Sequence, residues 1–109
     1  MPELQVHPEV KYDLAEIYVY IAQDHPDAAE AVELAVTDAF ELLVSHPRPG
    51  TEYSPLRRTL KGIRLMVVTE YPNYLIYYRP LPEDAGVRIL YVLHAARDAV
   101  TVAKDHRRQ

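Results

Sequence analysis

The chain has 109 residues, 49% of them hydrophobic, and its formal net charge is −4 at pH 7; that length fits one domain over residues 1–109 and leaves no room for two. It has no cysteine, which excludes disulfides, thiolate metal sites and cysteine nucleophiles. The charge is split: residues 1–46 hold one base, Lys11, against ten acids (−9), and residues 47–109 hold eleven bases against six acids (+5), so an acidic face and a basic face are expected.

Leu4 to Val6 alternates in a way that suits one strand. His7-Pro8-Glu9 reads as a helix start, with Pro8 at the first helical position. Val10, Leu14, Ile17, Tyr18 and Ile21 then form one buried helical stripe, with Asp13, Glu16 and Gln23 away from it. This helix is expected to end near Asp24, because the residue before Pro26 is pushed out of helical geometry. Pro26 opens a second helix, with Asp27 and Glu30 near its positive end. Its apolar face is Ala29, Val32, Val36, Ala39, Phe40 and Leu43, and its alanines allow a close antiparallel hairpin. Pro47 stops it, and Pro49, Gly50 and Pro55 mark a surface loop.

The period then changes from helical to alternating. Leu65, Val67 and Thr69 alternate with Arg64, Met66 and Val68. Tyr74, Ile76 and Tyr78 alternate with Leu75, Tyr77 and Arg79. Val87, Ile89, Tyr91 and Leu93 alternate with Arg88, Leu90 and Val92. These are three strands rich in β-branched and aromatic residues, joined by connections short enough for hairpins. Asp98 can cap a short final helix over residues 99–106. The expected fold is α+β, in the order β-α-α-β-β-β, with a two-helix hairpin packed on a mainly antiparallel sheet and a C-terminal tail or short helix. No signal-peptide pattern follows Met1-Pro2-Glu3, and no apolar stretch is long enough to span a membrane. A cytoplasmic location without a membrane partner is the expectation.

Common enzyme signals are missing. There are only three glycines, Gly50, Gly62 and Gly86, and no glycine-rich phosphate loop. The five histidines are scattered without metal-ligand spacing, and no cofactor is expected. The basic residues Arg57, Arg58, Lys61 and Arg64, with His94 and Arg97, are expected to converge on one rim of the sheet. Such a cluster suits a phosphate backbone or an acidic protein surface; the plainer reading is an arginine holding an acid such as Asp98. Nine tyrosines against one phenylalanine form a second feature. Tyr74, Tyr77, Tyr78 and Tyr91 are either core residues with hydroxyls at its edge or a partly exposed platform for a peptide or stacked bases.

Taken together, these segments resemble the RelE/ParE superfamily of toxins from type II toxin–antitoxin systems, its ParE branch most closely. The likeness runs over nearly the whole chain. It is carried by Asp13-Leu14-Ala15-Glu16-Ile17, Tyr20-Ile21-Ala22, Pro26 with Ala28-Ala29, and His46-Pro47 with Gly50. Its strongest parts are Leu60-Lys61-Gly62-Ile63-Arg64, Tyr74-Leu75-Ile76-Tyr77-Tyr78-Arg79 and Ile89-Leu90-Tyr91-Val92-Leu93-His94-Ala95-Ala96-Arg97-Asp98. The resemblance implies a toxin neutralised by a cognate antitoxin. ParE-like members are held to poison DNA gyrase, and RelE-like members cut messenger RNA on the ribosome.

RNA cleavage needs a proton acceptor, a charge clamp and an acid for the leaving group. In that alternative Lys61, Arg64, His94 and Arg97 would do the work. However, Val100, Val102 and Ala103 stand where RelE-like nucleases commonly place a tyrosine or histidine, and the net acidity opposes broad RNA affinity. The expectation is therefore a gyrase inhibitor without catalysis, touching its target through Arg57, Arg58, Lys61, Arg64 and Arg97. Direct nucleic-acid contact belongs to the nuclease alternative, and a non-toxic interaction module of the same fold is the third reading.

Overall fold

The computed structural model describes residues 2–47, 50–52 and 62–98. Arg57, Arg58, Lys61 and the expected C-terminal tail or helix lie outside them. The elements run β1 (Glu3–Val6), α1 (Val10–Ala22), α2 (Pro26–Ser45), β2 (Thr51–Glu52), β3 (Arg64–Val67), β4 (Tyr74–Pro80) and β5 (Gly86–His94). The expected α+β order is present, with one addition. The two residues of β2, read from the sequence as loop, pair antiparallel with β3. The sheet order is β1-β5-β4-β3-β2. All neighbours are antiparallel except β1 and β5, which run parallel.

Helix α1 starts later than Pro8. The His7 ring explains this: its Nδ1 accepts the Glu9 N–H at 3.1 Å, and the His7 carbonyl accepts the Val10 N–H at 2.9 Å. A turn thus precedes the helix and satisfies a donor that a helix start would leave orphaned. The helix also stops at Ala22, short of Asp24. Helix α2 has Pro26 as its first residue, where a missing N–H costs nothing.

The hairpin packs on one face of the sheet. Val10, Ile17, Val32, Val36, Phe40 and Leu43 meet Tyr74, Ile76, Tyr78, Val87, Ile89 and Val92 in one core. Fully buried side chains such as Leu43 and Ile76 contribute roughly 1.5–3 kcal/mol each. The opposite face carries a second cluster of Ile63, Tyr77, Leu90, Tyr91 and Leu93, all 8% exposed or less. Burial on both faces explains why β5 reads as a nearly continuous apolar run. It also decides between the two readings of the strand tyrosines: Tyr74, Tyr77, Tyr78 and Tyr91 are 0–9% exposed, so they are core residues, and the alternative of a stacking platform falls.

Two close approaches fix the edges. Gly86 has φ of 135°, and a Cβ there would stand 1.9 Å from the Glu3 carbonyl oxygen. Only glycine lets β1 lie against β5 at that point. Further in, β5 carries one extra residue where the register with β4 shifts between Tyr77 and Tyr78. Near this bulge the Val92 N–H donates to Asp13 Oδ2 at 3.1 Å. Asp13, placed outside the buried stripe by its spacing, is half-buried and ties α1 to β5.

Candidate functional site

The topology decides where the predicted site residues go. Strands β3 and β5 are both antiparallel to β4, so they run parallel to each other. The start of β3 therefore lies beside the start of β5 and away from its end. Arg64 sits opposite Tyr78, while His94 sits opposite Tyr74. Four steps along β4 separate the two levels, roughly 13 Å at about 3.3 Å per residue. The expected single rim is corrected accordingly: Arg64 stands at one end of the sheet, and His94 with Arg97 at the other.

At the first end Arg64 is half-buried. Its Nη2 donates to the Gly50 carbonyl, and the Gly50 N–H donates to the Tyr78 hydroxyl at 3.1 Å. The two side chains together hold Gly50 against the sheet. The same end carries Arg79 and Arg88, which sequence reasoning did not single out. They are directly opposite one another on β4 and β5. The alternation of their neighbours was the signal for this: Tyr78 and Ile89 point to the hairpin core, so Arg79 and Arg88 point to the other face.

At the second end His94 shapes a turn. Its Nδ1 accepts the N–H groups of Ala96 and Arg97 at 3.2 and 3.1 Å, so that nitrogen is unprotonated in this geometry. The ring meets Tyr74 edge-on at 5.4 Å. The Arg97 guanidinium lies 3.4 Å from Asp98 Oδ2 and 3.9 Å from Glu16 Oε1, and 5.3 Å from the centre of the Tyr20 ring. Asp98 Oδ2 also accepts the His94 N–H at 3.1 Å. The plainer sequence reading, an arginine holding Asp98, is thus realised here. Burial pushes the Tyr74 hydroxyl above its ordinary pKa, with Arg97 working against the shift and Tyr20 adding to it. A shallow pocket of about 200 Å³ lies among Asp13, Glu16, Arg97 and Asp98.

The third feature lies on the outer side of the hairpin. Two adjoining hollows of about 460 and 370 Å³ share Tyr18, Glu33 and Thr37. The first adds Glu30 and Leu34, and the second adds Lys11, Leu14, Ala15 and Val19. Together they make one groove between α1 and α2. Val19 and Leu34 are 59% and 63% exposed on it, and Tyr12 and Tyr20 are exposed on the same helix as Val19. Among the described residues the exposed aromatic side chains Tyr12 and Tyr20 are therefore on α1 and not on the strands. Among the described residues no group of three or more histidines and acids could hold a metal ion, and no helix is long and apolar enough to cross a membrane.

Residues 4–99 match the family described as "ParE toxin of type II toxin-antitoxin system, parDE". The chain belongs to the ParE toxin family. A protein of Sinorhizobium fredii (strain NBRC 101917 / NGR234), described as "Putative toxin Y4kP", is 39% identical over 82 residues, covering 75% of this chain and 76% of that one. The structure superposes on a solved one described as "Chromosomal ParDE TA system from P. aeruginosa" with a TM-score of 0.69, covering 86% of this chain and 96% of that chain. The identity there is 16%, so that likeness speaks for the fold. The family and the fold agree with what the segments from Asp13 to Asp98 implied.

Proposed function

We propose that this ParE-family chain is a cytoplasmic growth inhibitor that binds and blocks DNA gyrase, without catalysis of its own, until a cognate antitoxin covers it. The observation that carries this reading is the family match over residues 4–99, which runs from within β1 past the end of β5. The separation of Arg64 from His94 and Arg97 supports the non-catalytic half of it. A nuclease centre needs a clamp and a proton carrier within hydrogen-bond reach of one phosphate. Those residues stand roughly 13 Å apart along the sheet. His94 Nδ1 is already engaged by two backbone N–H groups. In this reading Arg64 and Arg97, with Arg57, Arg58 and Lys61, contact the target.

The antitoxin seat is the groove between α1 and α2. Leu14, Val19 and Leu34 give it apolar surface, Glu30 and Glu33 line its α2 side, and Lys11, the single base among the described residues lining it, is on its α1 side. That pattern fits an amphipathic helix with apolar anchors and flanking Lys or Arg. The test is induction of the chain in growing cells carrying a reporter plasmid. Growth should stop and the plasmid should lose negative supercoils. Co-expression of the adjacent small reading frame should restore both. Growth arrest with unchanged plasmid topology would refute the gyrase target.

A further inference from the structure

We infer that the open edge of β1 is a dimer interface, at which two copies of the chain pair antiparallel through Leu4 and Val6 and join their sheets into one. Strand β1 is outermost, with β5 on one side; among the described residues no strand lies on the other. The N–H groups of Glu3 and His7 donate to the Ala85 and Ile89 carbonyls at 2.8 and 2.9 Å. Successive residues of a strand aim their backbone groups to opposite sides, so Leu4 and Val6 turn theirs to the open edge. Both side chains are 41% exposed as well. An edge of this kind is a template for a further strand.

Residues along β1 select a second copy as the occupant and set the register. The outward donors are Leu4 and Val6, since the next residues of that set, Pro2 and Pro8, have no N–H. A two-fold axis at Gln5 uses both: Leu4 of one copy exchanges N–H···O bonds with Val6 of the other, and Val6 with Leu4. An axis at Leu4 or Val6 would set a proline opposite the remaining donor and lose bonds. In the favoured register Gln5 meets Gln5, a neutral pair at a close spacing where a charge would repel its own copy. Glu3 meets His7 of the other copy. The His7 Nδ1 accepts the Glu9 N–H, so the neutral ring carries its proton on Nε2, a donor matched to a carboxylate.

Side chains on both faces agree with this register. Leu4 and Val6 lie in register with Val87 and Ile89, which belong to the hairpin-side core, so contact between Leu4 and Val6 of two copies extends that core across the axis. On the other face Gln5 Oε1 accepts from Arg88 at 3.4 Å, and Gln5 Nε2 donates to Glu3 Oε2 at 3.3 Å. Edge strands are commonly guarded by a lysine or a bulge; the centre of β1 carries neither. The prolines at both ends keep the ladder short, which fits a weak, concentration-dependent dimer and not a permanent one.

The experiment uses the full purified chain, its mass read by sedimentation equilibrium and its single-amide exchange by NMR, from about 5 to about 500 µM. Mass should rise from monomer toward dimer. Exchange at Leu4 and Val6 should slow about threefold or more over that range, while Glu3 and His7, bonded to β5, change little. Val6→Pro removes an outward donor, leaves the bonds to β5 in place, and should keep the chain monomeric. Gln5→Glu sets two carboxylates face to face and should weaken the dimer roughly threefold at low salt with unchanged melting, so it decides the matter if Val6→Pro does not fold. A monomer at every concentration overturns the interface. So does a dimer in which Leu4 and Val6 exchange as fast as in the monomer, or one that Gln5→Glu leaves intact. Protection of Leu4 and Val6 that appears only with the product of the adjacent reading frame assigns the edge to that partner and overturns the dimer as well. Mass and exchange decide the interface whether or not the chain inhibits gyrase.

Discussion

Asp13 offers the sharpest test of how the fold is held. Asp13→Ala removes the acceptor of the Val92 N–H, which donates to Asp13 Oδ2 at 3.1 Å. Val92 is 1% exposed, so water cannot readily replace the lost partner. A hydrogen bond to a charged group contributes about 1.5–3 kcal/mol, and an orphaned buried donor costs a similar amount. Taking roughly 2 kcal/mol and about 4–8 °C per kcal/mol for a domain of this size, Tm should fall by about 8–16 °C. Asp13→Asn keeps an oxygen acceptor and should lose about half as much. Asp38→Ala, on an exposed turn of α2, is the control and should move Tm by about 2 °C or less. Circular-dichroism melts of the three variants decide the matter. If Asp13→Ala melts like Asp38→Ala, the tie between α1 and β5 has no energetic meaning and the reasoning is refuted.

Gly86→Ala should be worse than any surface change: its Cβ would meet the Glu3 backbone at 1.9 Å, so β1 must leave the sheet at a cost of about 3 kcal/mol or more, read as loss of amide exchange protection at Glu3 and His7, whose N–H groups donate to the Ala85 and Ile89 carbonyls. Arg97→Ala should lower Tm by no more than about 4–8 °C, because its ion pairs are exposed and worth roughly 0–1 kcal/mol. Arg64→Ala removes a charge-assisted bond to the Gly50 carbonyl and should cost more, about 1.5–3 kcal/mol, so equal melts for the two variants would contradict the placement of Arg64. Tyr74 has its folded pKa raised by burial, so the neutral phenol is favoured in the native state. Its contribution is complete below about pH 10 and is lost as pH rises through the higher folded value. Alkaline melting curves should therefore fall less steeply above pH 10 for Tyr74→Phe than for the wild-type chain.

Most of the fold could be read along the chain because each element announces its own period. Pro26 and Pro47 bracket α2, and Val87 to Leu93 reads as a buried strand. Helix α1 starts two residues later than Pro8 because His7 holds a turn over Pro8 and Glu9, its ring nitrogen accepting the Glu9 N–H, which spacing cannot reveal. Strand β2 was missed because two residues carry no period. The site was harder. Arg64 and Arg97 look like neighbours when each is assigned to a strand end. Two successive hairpins make β3 and β5 parallel, so a residue opening one and a residue following the other must be far apart. Applied to the sequence, that rule would have separated them and paired Arg79 with Arg88. Val19 and Leu34 lie off the buried stripes at positions that only the packed hairpin identifies as a groove. Asp13 looked solvated for the same reason: nothing in one helix tells which strand N–H waits beside it.

The central claim is that this ParE-family chain stops gyrase and does not cut RNA. It is tested most directly by titrating the purified chain into a gyrase supercoiling reaction, beside a ribosome-and-message cleavage reaction at the same concentrations. The account predicts supercoiling that falls with added protein, recovers on adding the cognate antitoxin, and leaves messenger RNA intact. Full supercoiling together with ribosome-dependent cuts in the message would contradict it.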